Sequence, residues 1–115
     1  MLGESALNFL CSTCALDGSG NIECWGSDSY GLVSNAPSGS GYTELSGGHD
    51  HHCALDALGG IECWGLDQDG QVSNTPSASG YTAVDAGLYF NCALNSSQII
   101  ECWGEDDYGQ VSDAP

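Results

Sequence analysis

Apolar residues along this chain fall in short alternating runs broken by turn formers. Cys14-Ala-Leu16 and Ile22-Glu-Cys24-Trp25 flank Asp17-Gly-Ser-Gly-Asn21, and two such runs joined by a loop of this composition predict an antiparallel hairpin. If Cys14 faces Cys24, Leu16 falls opposite Ile22, and the same register pairs Leu55 with Ile61 and Leu94 with Ile100. Period-two alternation then puts Cys14, Leu16, Ile22 and Cys24 on one face and Ala15, Glu23 and Trp25 on the other. Both faces carry apolar side chains, so each small sheet is expected to be covered on both sides by sheets like itself. A third strand is predicted over Gly41–Leu45 and Gly80–Val84, with Pro37 and Pro76 marking the loop that leads into it.

The pattern recurs at a spacing of 39 residues without a gap. Cys-Ala-Leu begins at Cys14, Cys53 and Cys92, Glu-Cys-Trp-Gly begins at Glu23, Glu62 and Glu101, and proline stands at Pro37, Pro76 and Pro115. A period near 40 belongs to propellers and solenoids. The chain thus reads as one all-β repeat domain: an N-terminal strand within 1–13, repeat 1 over 14–52, repeat 2 over 53–91 and an incomplete repeat 3 over 92–115. Repeat 3 stops before its third strand, and 1–13 occupies the equivalent stretch ahead of repeat 1. That strand is expected to complete a sheet in another molecule.

Charge narrows the choice of partners. The 115 residues include sixteen Asp and Glu and no Lys or Arg, a formal charge of -16. Without ammonium or guanidinium side chains the chain cannot neutralise phosphates, which argues against nucleic acid and anionic lipid and favours a basic protein partner. Such a charge repels itself, so salt, divalent cations or lower pH are expected to favour the compact state. No apolar stretch reaches the length of a membrane span, so no membrane insertion is expected. Met1–Leu10 has no basic residue and does not read as a signal peptide.

Seven cysteines in so short a chain form three pairs ten positions apart, Cys14 with Cys24, Cys53 with Cys63 and Cys92 with Cys102, leaving Cys11 over. A zinc site needs ligands two to four residues apart, and that spacing occurs once, at Cys11-Ser-Thr-Cys14. Opposed residues at a non-hydrogen-bonded site of a hairpin lie about 4.5 Å apart at Cα, within disulfide range. Three disulfides are expected, and with them a secreted, extracellular setting.

The candidate chemistry is sparse. In His49-Asp-His51-His52, a strand places His49 and His51 on one face, where two imidazoles would meet one metal ion; the alternative is a polar edge with His51 packed. Asp67 and Asp69, and Glu105-Asp-Asp107, offer the hard oxygens calcium takes, or are solvated turn residues. Asp28, Asp67 and Asp106 recur at one place and are expected to cap a turn through side-chain hydrogen bonds. Histidine occurs only at positions 49, 51 and 52, there is no Gly-x-Ser-x-Gly, and a phosphate-cradling Gly-Lys-Ser loop cannot exist without lysine. The expectation is no catalytic residue and no cofactor.

Cys53-Ala-Leu55, Ile61-Glu-Cys63-Trp-Gly65, Asp67, Gly70-Gln71, Val72-Ser-Asn-Thr-Pro76 and Gly80-Tyr-Thr82 closely resemble the bacterial, secreted version of the regulator-of-chromosome-condensation repeat. His51 matches the family's histidine two positions before the first cysteine, where the other copies hold Ser12 and Phe90; Asp28, Asp67 and Asp106 replace its usual asparagine. The resemblance implies a β-propeller, whose closed members usually carry about seven blades. Three blades do not close alone, so a head-to-tail homo-oligomer is expected, a ring or a filament, with Trp25, Trp64 and Trp103 packing blade on blade and Cys11 available to link neighbours; the alternative is a fragment of a longer protein. The implied function is a non-catalytic extracellular assembly module. The alternative is a protein-binding propeller, similar to the propeller-type β-lactamase inhibitors, that recognises a basic partner.

Overall fold

The computed structural model describes residues 12–115; the expectations for Cys11 and for most of the 1–13 strand lie outside them. The chain runs β1 (Ser12–Leu16), β2 (Ile22–Gly26), a short 3-10 turn (Ser29–Gly31), β3 (Glu44–Gly47), β4 (His51–Leu55), β5 (Ile61–Gly65), β6 (Tyr81–Ala86), β7 (Phe90–Asn95) and β8 (Ile100–Gly104). These make three antiparallel sheets in the orders β1-β2, β3-β4-β5 and β6-β7-β8. Each three-stranded sheet straddles a boundary between sequence repeats, because its first strand ends one repeat and its hairpin begins the next.

The hairpins have the register that alternation predicts: Cys14 opposite Cys24 and Leu16 opposite Ile22, with the equivalent pairs in the other two sheets. The opposed cysteines are joined in disulfides, with Cα separations of 4.1, 4.0 and 4.0 Å.

The third strand of the second sheet differs from expectation. It runs over Glu44–Gly47 rather than Gly41–Leu45, and ahead of it the amides of Gly41 and Tyr42 donate to the carbonyls of Ser19 and Gly20 in the β1–β2 turn. Gly80 and Tyr81 repeat the bond to Leu58 and Gly59, and there the strand starts at Tyr81. Gly59 is required at this crossing: its φ is +78°, and a Cβ would fall 2.5 Å from the carbonyl oxygen of Tyr81.

After each Trp-Gly the chain turns under a capping aspartate. Asp28 Oδ1 accepts the amides of Val33 and Ser34 at 2.8 Å, and Asp67 and Asp106 do the same for Val72 with Ser73 and Val111 with Ser112. Those amides hold all three carboxyls below the usual range.

The core lies between sheets. Trp64, Tyr42 and Ala54 of the second unit pack on Cys14, Leu16, Ile22 and Cys24 of the first. Trp103, Tyr81, Val84 and Ala93 of the third pack on Cys53, Leu55 and Ile61 of the second. Each sheet therefore covers its predecessor's cysteine face with its own tryptophan face. Strand β3 also reaches forward through side chains, as Glu44 Oε1 accepts the Val84 amide at 2.7 Å and Ser46 Oγ the Ala86 amide at 2.9 Å.

Candidate interaction surfaces

The two internal joints share one construction. The indole N–H of Trp64 donates to the carbonyl of Leu32 at 2.9 Å, and that of Trp103 to the carbonyl of Gln71 at 3.0 Å, which also accepts from Asn91 Nδ2 at 3.0 Å. A side-chain pair crosses each joint as well: Ser12 Oγ with His52 Nε2 at 2.9 Å, and His51 Nε2 with Asn91 Oδ1 at 2.8 Å. The hairpin pattern gave no sign of these pairs, because they join residues 40 apart on different sheets. Comparing side chains at an offset of one repeat plus one residue is the signal that finds them.

The outermost faces lack this cover. Trp64 and Trp103 are 5% and 6% exposed, whereas Trp25, expected to pack in the same way, is 54% exposed. Its face has no preceding sheet over it among the described residues. At the other end Ile100 is 40% exposed where its equivalent Ile61 is 8%. Ala83, Asp85, Cys92, Leu94 and Ile100 border a shallow apolar cavity of about 290 Å³ there.

The histidines part company. Strand β4 begins at His51, which leaves His49 in the turn before it, half-exposed, with Nδ1 against Asp50 Oδ2 at 2.7 Å. His51 is buried against Asn91, so the two imidazoles expected to share an ion face different partners. His52 lies over the Trp64 ring at 5.6 Å between centroids. Burial holds both His51 and His52 below the ordinary imidazole pKa, hence neutral. Among the described residues no group of three His, Cys, Asp or Glu is placed to hold a metal ion.

Asp67 and Asp69 are also separated in role, the first capping its turn and the second lining a polar groove. Tyr30, Asp50, Asp69, Tyr89, Glu105 and Asp107 border this groove of about 350 Å³. Desolvation, then the neighbouring carboxylates Asp107 and Asp69, raise the pKa of Glu105. The acids come from the second and third blades, so the sequence offered Asp69 and Glu105-Asp-Asp107 as separate clusters but gave no sign that they meet Asp50 in one groove.

No family model and no curated protein sequence matches the chain. Solved structures do. The ectodomain of the Physcomitrella patens receptor kinase CR4 is similar over 90% of this chain and 31% of its own length, at 29% identity and a TM-score of 0.65. The CRINKLY WD40 ectodomain of the Arabidopsis thaliana receptor kinase ACR4 is similar over 83% of this chain and 37% of its own, at 29% identity and 0.72. Human WBSCR16 is similar over 88% and 33%, at 18% identity and 0.71. The chain spans about a third of the length of these structures. With its three disulfide-stapled sheets stacked face to back, it folds as three consecutive blades of a β-propeller.

Proposed function

We propose that this chain is a non-catalytic, extracellular protein-interaction module of the regulator-of-chromosome-condensation repeat type, whose blades assemble head to tail into a ring or filament. One observation carries the reading: each end presents one half of a joint that the chain builds twice internally, Trp25 at one end and the Cys92–Leu94–Ile100 face at the other. An exposed indole and an exposed apolar face on a protein this acidic mark surfaces that meet another protein. Three disulfides support an oxidising location, as does the likeness to two receptor ectodomains. The engagement of His51 and His52 in blade joints supports a non-catalytic role.

Sedimentation velocity with negative-stain microscopy tests this. Rings or filaments that grow with concentration and vanish in Trp25→Ala are expected; a folded monomer at every concentration refutes it.

A second reading rests on the acidic groove. Asp50, Asp69, Glu105 and Asp107 between Tyr30 and Tyr89 favour a cationic partner, since carboxylates supply charge and phenol rings supply cation-π faces. Calorimetry with poly-lysine should then show saturable, salt-sensitive heat that Asp69→Asn weakens; heat indifferent to that substitution sinks it.

A further inference from the structure

The internal joints share a register that says how a second copy seats. From indole to carbonyl the offset is 32 residues in both, Trp64 to Leu32 and Trp103 to Gln71. Side-chain bonds that cross between blades recur at an offset of 40, in Ser12 with His52, His51 with Asn91, Glu44 with Val84 and Ser46 with Ala86, with Ser46 Oγ also donating to Asp85 Oδ1 one residue short of it. The occupant of the open third blade must carry an exposed indole on a hairpin of the same pitch, and this chain has one at Trp25. Continuity with the two existing joints therefore favours a blade of this same repeat over an unrelated partner, and a second copy of the chain supplies one.

Resting on the assembly reading, we infer that the second copy docks in the register of the internal joints, with its Trp25 on the Cys92–Leu94–Ile100 face and its indole N–H on the carbonyl of Gln110. Gln110 stands one repeat beyond Gln71, as Gln71 stands one repeat beyond Leu32. The cross-blade pair at this joint becomes Phe90 with Thr13 of the second copy. Phe90 takes the place that Ser12 and His51 hold inside the chain, so here a phenyl ring and a threonine methyl replace a hydrogen bond. The joint between copies is thus drier than the joints within a copy, and it carries no imidazole. The charge at it is tolerable: Glu23 stands where Glu62 already stands at the first internal joint, and Asp85 is the one carboxylate bordering the receiving cavity.

The full chain with p-benzoylphenylalanine at position 90, irradiated and digested at glutamate, tests the register. A product of twice the chain mass, cross-linked within residues 12–16 of the second copy and lost in Trp25→Ala, is expected. Cross-links elsewhere, in chains that still form multimers, overturn the register and leave the assembly reading standing; absence of multimers overturns both. Because the photoreactive variant could fold poorly, fluorine NMR of the unaltered sequence labelled with 5-fluorotryptophan gives a second reading. Of three resonances, that of Trp25 should move as concentration rises while those of Trp64 and Trp103 stay. If multimers form and the Trp25 resonance does not move, the proposed seat is wrong.

Discussion

The indole N–H of Trp64 donates to the carbonyl oxygen of Leu32 across the joint between the first and second blades. Trp25 has the same sequence neighbours and lies open to solvent. Truncating a packed aromatic removes its transfer energy and leaves a cavity, so Trp64→Ala should cost about 3–5 kcal/mol of stability. Trp25→Ala should change the stability of the isolated chain by about 0.5 kcal/mol or less. Denaturant titration at a concentration too low for assembly separates the two.

The hairpin staples act chiefly on the unfolded chain. Each closes a ten-residue span, and replacing both Cys53 and Cys63 by alanine should cost about 3 kcal/mol through restored chain entropy. Thermal unfolding with and without the pair measures this. Because Cys53 is fully buried beneath Trp103 and its neighbours, lost packing adds to the effect.

Asp67 caps its turn as a carboxylate. The amides of Ser73 and Val72 depress its pKa in the fold, so its contribution is present above the unfolded value of 3.8 and is lost as pH falls through the folded one. Asp67→Ala should lower Tm by a few degrees at pH 7, and the gap to the unaltered chain should narrow as pH falls below 3.8. Asp67→Asn, which keeps the acceptor without the charge, should fall between.

Burial lowers the pKa of His51 and His52, so the unfolded chain takes up protons first. Their contribution is complete above the unfolded value of 6.5 and declines as pH falls from there through the folded values. The denaturation midpoint should therefore drop between pH 7.5 and 5.5, a range in which most carboxylates stay charged. His51→Gln, which can still donate to Asn91, should flatten that slope.

Much of the blade was legible because its determinants are local. The register of Cys14 with Cys24 and Leu16 with Ile22 follows from loop length and alternation, and the role of Asp28, Asp67 and Asp106 follows from their place after each Trp-Gly. Between blades the sequence pointed to the tryptophans but not to the hydrogen bonds that cross the joints. Alternation shows that Trp25 is apolar on its face but not whether a sheet lies over it. The hold of the preceding hairpin's turn on Gly41 and Tyr42 is likewise a contact without a local signature. His49 left the face of His51 because the strand begins two residues later than the histidine run. The acidic groove is assembled from three blades, which a linear pattern cannot bring together.

Every residue of β4, His51 to Leu55, is buried. His52 reaches back to Ser12 while His51 reaches forward to Asn91, so successive side chains of one strand are gripped from opposite flanks. A segment clamped in this way can release its amides to solvent only when both flanking sheets let go. Its backbone hydrogens should then be the slowest to exchange with deuterated water, at a rate that follows global opening rather than fraying.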